Sequence, residues 1–142
     1  RSHPSSDLNA QYRSIPDLAH NFVLQAVFEG SPCAKEEIEE KLENARAKRR
    51  LSQPSGASAG CIFKNPEEIP AGKLIDELGL KNACVGDACV SSVHANFIIN
   101  RGHARARDIT ILIDMIRKEA MENRGIDLKS EAQVIGDREP QF

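Results

Sequence analysis

The segment Arg105-Ala-Arg-Asp-Ile-Thr-Ile-Leu-Ile-Asp-Met-Ile-Arg-Lys-Glu-Ala-Met-Glu-Asn123 decides the fold, because it is the longest stretch of helical period in the chain. Its apolar residues fall at positions i, i+3, i+4, i+7 and i+11: Ile109, Leu112, Ile113, Ile116 and Ala120. That spacing places them on one face of a helix, where they form a stripe that must face a core. Gly125 is expected to end the helix.

Shorter elements surround this helix in an irregular order. Apolar and β-branched runs predict strands at 22–28, 83–85, 89–91, 97–99 and 128–135. Helical spacing and charge order predict a surface helix over 35–50 and a buried one over 71–78, while 52–60 is expected to be a loop. Because strands and helices do not alternate regularly, we expect an α+β fold in which a small sheet carries about three helices on one face.

The composition excludes several classes of protein. The 142 residues carry a formal charge of −2 and contain only five Phe, one Tyr and no Trp, so neither nucleic acid nor an anionic membrane is an expected partner. No apolar run approaches the roughly 18 residues of a membrane span, and Arg1–Ser14 is too polar for a signal peptide. These features favour a cytoplasmic protein.

The cysteines are expected to be reduced thiols, as is usual in such a compartment. They lie at positions 33, 61, 84 and 89. Together with His94 and His103, Cys84 and Cys89 suggest zinc only weakly, because the spacing C-x4-C-x4-H is not that of a zinc knuckle. We therefore expect no metal site.

Three segments are more specific than folding requires. They are Ser58-Ala-Gly-Cys-Ile-Phe-Lys-Asn-Pro66, Ser91-Ser-Val-His-Ala-Asn-Phe-Ile-Ile-Asn100 and Leu128-Lys-Ser-Glu-Ala-Gln-Val-Ile-Gly136. Small residues before Cys61 would let the backbone approach a ligand closely. Each segment also has a plain structural explanation, namely a buried cysteine, a turn cap and an edge strand with one wet face.

Taken together in chain order, these segments resemble the UDP-N-acetylenolpyruvoylglucosamine reductase family. Tyr12-Arg13-Ser14, Gln53-Pro54 and Ala71-Gly-Lys-Leu-Ile-Asp-Glu-Leu-Gly-Leu-Lys81 extend the resemblance over nearly the whole chain. The family is an FAD-dependent, NADPH-using oxidoreductase that reduces UDP-N-acetylglucosamine enolpyruvate to UDP-N-acetylmuramate for bacterial peptidoglycan. The resemblance is to the C-terminal, substrate-binding part of that enzyme.

The resemblance also implies roles for five residues. Cys61 stands where the family usually has a proton-donating Ser, and a thiol is the stronger acid, with an ordinary pKa of about 8.5. Arg13 corresponds to the Arg that stabilises the enolate, and Glu131 to a catalytic Glu, which must be protonated or linked to a cation or water to help. Tyr12 and Asn65 correspond to residues that line the substrate site.

The resemblance further implies that the flavin-binding domain precedes these motifs. We expect residues 1–30 to be its last piece and 31–142 to be the substrate-binding domain, so the chain alone should bind neither FAD nor NADPH and should be inactive. The missing flavin domain, on the same or a separate chain, is then the expected protein partner.

Two other classes of function remain open: a non-catalytic UDP-sugar-binding module, and a thiol enzyme in which His94 or His103 activates Cys61. The basic residues 48–50 could face the substrate diphosphate or simply end a surface helix.

Overall fold

The computed structural model describes residues 3–134, and the chain divides into two compact units, Arg1–Glu37 and Ile38–Phe142. The first unit contains two short 3-10 helices, Ser5–Asp7 and Pro16–Leu18. The predicted strand at Phe22–Phe28 is wrong, because this segment is exposed and pairs with no other strand among the described residues. A strand needs a neighbour to satisfy its backbone groups, and no segment of the described residues supplies one.

Helix α1, Lys35–Ser52, confirms the prediction of a surface helix. Acidic side chains occupy its first turn and basic ones its last, which complements the helix dipole. It has no buried residue, and Arg50 near its end pairs with Glu43. Its charge order therefore favours the helix without help from a core.

The sheet has four antiparallel strands in the order β1-β4-β3-β2. They are β1 Ala57–Cys61, β2 Cys84–Val85, β3 Ala88–Val90 and β4 Phe97–Asn100. The three strands predicted between positions 83 and 99 are confirmed. The loop predicted over 52–60 is wrong in its second half, which is β1. Small residues have weak strand propensity, but pairing with β4 overrides it.

Two further helices follow α1 in the chain: α2 is Ala71–Glu77 and α3 is Ala106–Arg124. The predicted stripe of α3 is confirmed, since Leu112, Ile113, Ile116 and Ala120 are buried, and Gly125 follows with a φ of 66°. α3 packs against β2, β3 and α2. Three helices and a four-stranded antiparallel sheet confirm the α+β prediction. No helix among residues 3–134 is both long and apolar enough to cross a membrane.

The last predicted strand, 128–135, is present only as a bridge between Ser130 and Phe63. Ile135 lies outside the described residues. The backbone pairs with residues 62–64 and then turns away, so a full ladder does not form among the residues that are described.

The expectation of four reduced thiols also differs from the structure. Cys84 and Cys89 form a disulfide, while Cys33 and Cys61 are free thiols. The physical reason is the β2–β3 hairpin, which places the two cysteines directly opposite each other with their Cα atoms 4.2 Å apart. Cross-strand neighbours can form a disulfide, and this Cα distance of 4.2 Å lies just below the usual range of about 4.4 to 6.8 Å.

Candidate active site

Cys61 is placed by an irregularity at the end of β1. The register between β1 and β4 shifts between Ser58 and Cys61, so that Cys61 faces Phe97. Gly60, immediately before the thiol, has a φ of 80°, a left-handed conformation that glycine adopts without strain. The Ser-Ala-Gly sequence thus redirects the strand and leaves the Cys61 thiol half-buried at the sheet edge.

A backbone hydrogen bond places Glu131 at the same edge of the sheet. Its N–H donates to Ile62 O at 2.7 Å, one residue beyond Cys61. The Lys64 N–H donates to Lys129 O at 2.9 Å and continues the contact. Glu131 is half-buried, and its Oε2 atom is shielded from solvent. The structure therefore places the backbones of Cys61 and Glu131 on neighbouring segments.

The segment that carries Glu131 is anchored just before it. Leu128 is fully buried in the core. The Asp127 carboxylate accepts hydrogen bonds from Lys129 and, at 3.3 Å, from Arg117 of α3. Lys129 first and Arg117 second hold the pKa of the Asp127 carboxyl below its ordinary value. An apolar anchor and a charged one thus fix the approach to Glu131.

Tyr12 and Arg13 lie in the first unit, at the centre of a tight turn. Gln11 and Ser14 close the turn by two backbone hydrogen bonds of 2.8 and 3.2 Å. Arg13 has a φ of 55°, uncommon for a residue with a side chain, and its guanidinium carbon lies 5.5 Å from the Tyr12 ring centre. The turn presents a phenol and a guanidinium side by side, and Tyr12 is 60% exposed.

Asn65 has a structural contact at the start of α2. Its Oδ1 accepts a hydrogen bond from the Ala71 N–H at 3.0 Å, which satisfies one of the amides that a helix start leaves unpaired. The donor side of the Asn65 amide is then the part available to a ligand.

Sequence reasoning treated His94 and Asn96 as turn caps, and the structure gives Asn96 a larger role. Ser91 Oγ accepts from the N–H groups of Val93 and His94 at 3.1 and 3.2 Å. Asn96 is buried and bonds the backbone of Phe63 through both ends of its amide. The available signal was an amide residue just before an apolar strand, but its partner lies 33 positions away in the sequence.

His94 gives little support to a thiol enzyme. His94 Nδ1 accepts from the Asn96 N–H at 3.2 Å, which occupies a lone pair that a general base would need. The His94 ring packs edge-on against Phe97 and so close to Gly72 that a Cβ there would lie 2.8 Å from it. Among residues 3–134 no three potential ligands converge as a metal site would require, and Cys84 and Cys89 are bonded to each other.

A hollow of about 290 Å³ lies beside this edge, between β1, β4 and α3. It is lined by Ala57, Ser58, Ala59, Ile62, Ile98, Asn100 and Ile109. None of these side chains is charged, so the hollow does not suit a diphosphate.

The fold is that of an α+β domain, and Cys61 and Glu131 lie on neighbouring segments at one edge of its antiparallel sheet. Residues 52–135 match the family described as UDP-N-acetylenolpyruvoylglucosamine reductase, C-terminal domain. The chain belongs to this family.

Three individual relatives show the extent of the similarity. The reductases of Syntrophobacter fumaroxidans and Geotalea uraniireducens are 40% and 42% identical over 92% of this chain, which covers 38% and 44% of their own lengths. The crystal structure of the Thermus caldophilus reductase matches with a TM-score of 0.60 and 43% identity, over 70% of this chain and 35% of that one. The chain thus spans about two fifths of the length of the relatives that it matches.

Proposed function

We propose that this chain is the substrate-binding part of an FAD- and NADPH-dependent reductase that converts UDP-N-acetylglucosamine enolpyruvate to UDP-N-acetylmuramate for peptidoglycan synthesis. The observation that carries the proposal is the 2.7 Å bond from Glu131 N–H to Ile62 O, which sets Glu131 beside the residue that follows Cys61. Two of the residues implied by the family resemblance, 70 positions apart in the sequence, are therefore neighbours in the fold.

The described residues do not fit FAD itself. A flavin dinucleotide needs amide groups that can cradle its diphosphate, most often at a helix start. The first amide of α2 is bonded to Asn65, the start of α3 is closed by the Asp108 carboxylate, and α1 carries two glutamates in its first turn. In our proposal FAD, reduced by NADPH, supplies the hydride in the complete enzyme and is held by the flavin-binding domain.

The residues of this chain would stabilise the negative charge that develops on the substrate and would donate the proton that completes the product. When the vinyl carbon gains hydride, negative charge develops on the neighbouring carbon and its carboxylate. Arg13 would stabilise that charge, and the Cys61 thiol would donate the proton that completes the product. Glu131 would act at the same stage, while Tyr12 and Asn65 would hold the UDP-sugar.

We further propose that residues 1–30 complete the flavin-binding domain and that 31–142 form the substrate-binding domain. The exposed apolar segment at 22–28 supports this division, because such a surface needs a partner in water. The relatives are more than twice as long as this chain, which leaves room for that domain. NADPH and a nucleotide-sugar substrate point to the cytoplasm as the compartment.

Separate measurement of the two half-reactions tests the proposal in the complete enzyme. Cys61→Ala should leave flavin reduction by NADPH intact, because no proton from Cys61 is needed there, and should slow flavin reoxidation by the enolpyruvyl substrate strongly. Cys61→Ser should restore part of the rate, because a hydroxyl can also donate. Cys33→Ala, which removes the exposed thiol, is the matched control and should change neither step.

Normal reoxidation in Cys61→Ala would refute Cys61 as the proton donor. Tight UDP-sugar binding with no turnover in an enzyme that carries both parts would instead favour the non-catalytic binding module.

A further inference from the structure

The side chain of Asn96 clamps the backbone on which the proposed site is built. Its Oδ1 accepts from the Phe63 N–H at 2.9 Å, and its Nδ2 donates to Phe63 O at 2.8 Å. Only 2% of Asn96 is exposed, so water does not compete for these bonds. A buried amide that satisfies both backbone groups of one distant residue fixes that residue in position and orientation.

The clamp extends to two of the three proposed catalytic residues, Cys61 and Glu131. The Ile62 N–H donates to the carbonyl oxygen of Asn96 at 2.9 Å, and Ile62 O accepts from the Glu131 N–H at 2.7 Å. Cys61 precedes Ile62 and pairs with Phe97, the residue after Asn96. Asn96 thus holds residues 62–63 from one side, while the segment that carries Glu131 lies on their other side.

The chemistry of this position requires an amide. An aspartate would keep the acceptor for the Phe63 N–H, but it would set a carboxylate oxygen against Phe63 O where a donor now stands. An apolar residue of similar size would leave both backbone groups buried and unsatisfied. The Asn96 N–H donates to His94 Nδ1 at 3.2 Å, so the preceding turn also fixes the position of Asn96.

We propose that Asn96 is a positioning residue, which aligns the Cys61 thiol with Glu131 through the backbone of Ile62 and Phe63. The catalytic part of this inference rests on the proposed function. The structural part, that Asn96 controls the setting of Cys61, does not.

The test uses two variants of the complete enzyme that carry the same change on β4 or next to it. Asn96→Asp removes the donor to Phe63 O. Asn100→Asp keeps the contacts of its residue, because Asn100 Oδ1 only accepts, from the N–H groups of Gly102 and Ala104 at 2.9 and 3.0 Å. Both variants add one negative charge, so their difference reports the clamp.

The first measurement is the rate at which iodoacetamide alkylates each free thiol, resolved by peptide mapping. Asn96→Asp should raise the rate at Cys61 several-fold, because the half-buried thiol loses its support, and should not alter the rate at Cys33. Cys33 is an internal control in the first unit, where a hydrogen bond with Glu37 raises the pKa of its thiol. Asn100→Asp should change neither rate. An unchanged Cys61 rate in Asn96→Asp would overturn the inference.

The second measurement is flavin reoxidation by the enolpyruvyl substrate. Asn96→Asp should slow this step by on the order of 10²-fold, the scale of a misplacement near 1 Å, and should spare flavin reduction by NADPH. If Cys61 alkylation accelerates while reoxidation stays normal in both Asn96→Asp and Cys61→Ala, the proposed function fails and the positioning role stands. A purely structural role would lower stability but leave reoxidation unchanged, which would refute the catalytic part.

If Asn96→Asp does not fold, hydrogen exchange in the unaltered protein gives the answer. The amides of Ile62, Phe63 and Glu131 should then exchange in one shared opening event. If the Glu131 amide exchanged independently of the Phe63 amide, the proposed link between Asn96 and Glu131 through residues 62–63 would be refuted.

Discussion

At the scale of single residues, one carbonyl group links two residues of the proposed site, Cys61 and Glu131. Ile62 O accepts from Glu131, and Ile62 itself follows the thiol of Cys61. Gly60 makes this arrangement possible, because a φ of 80° would strain any residue with a side chain. The site is therefore specified by a glycine before the thiol and by a backbone contact after it.

The role proposed for Glu131 is confined to the charged intermediate, and this makes it testable. Glu131→Gln in the complete enzyme should lower kcat by roughly 10²- to 10³-fold and leave KM nearly unchanged, because an interaction made only in the transition state is lost. Steady-state kinetics with NADPH and the enolpyruvyl substrate measure both constants. Glu67→Gln, the same change on an exposed loop residue, is the control and should behave as the unaltered enzyme. A normal kcat in Glu131→Gln would remove Glu131 from the mechanism.

The sequence identified Cys61 and Glu131 only through their resemblance to a family, because local patterns leave both with ordinary explanations. Asn96 shows the physical limit of such reasoning. Its partner is 33 positions away, and no local period reports a contact of that range. Arg13, at a φ of 55°, shows a second limit, because strain in a turn depends on closure by its neighbours.

At the scale of elements, the long helix was predictable and the edge strand was not. α3 carries its own signal, a stripe that repeats at helical spacing and ends at Gly125. β1 consists of small residues, and it is a strand only because β4 offers backbone groups to pair with. The β2–β3 hairpin adds a covalent bond that the composition argued against.

The disulfide of this hairpin predicts a measurable contribution to stability. In the absence of reductant, the folded chain should show two free thiols, Cys33 and Cys61, and four after reduction and unfolding. Closing so short a loop should stabilise the fold by about 2 kcal/mol, because it removes conformations from the unfolded state. Urea unfolding with and without dithiothreitol measures the difference.

The matched variants separate this bond from other effects of reductant. The double change Cys84→Ser and Cys89→Ser should make the free energy of unfolding insensitive to dithiothreitol, while Cys33→Ser should respond as the unaltered chain does. Four reactive thiols in the unreduced, unfolded chain would show that the pair stays reduced. In a reducing cytoplasm, the hairpin would then depend on its strand pairing alone.

At the scale of the whole molecule, the first unit exposes a surface that water does not favour. Phe22 and Leu24 are each 95% exposed and Phe28 is 89% exposed, although all three are large and apolar. The Syntrophobacter and Geotalea reductases are more than twice as long as this chain. In our proposal, a flavin-binding domain accounts for the additional length.

If that domain receives the 22–28 segment, a single charge in the segment should prevent assembly. We expect Leu24→Asp to abolish association with a separately supplied flavin-binding part, because an aspartate buried at an apolar contact loses its hydration without gaining a partner. Leu51→Asp, on a residue that is 84% exposed at the end of α1, is the matched control and should assemble normally. Copurification of the two parts, followed by the flavin absorbance near 450 nm, measures the outcome.

The chain without its partner should be colourless in the same assay, since its helix starts do not fit a flavin diphosphate. Full association of the Leu24→Asp variant would show that the 22–28 segment lies outside the contact, and flavin bound to the chain alone would refute the proposed division of the enzyme.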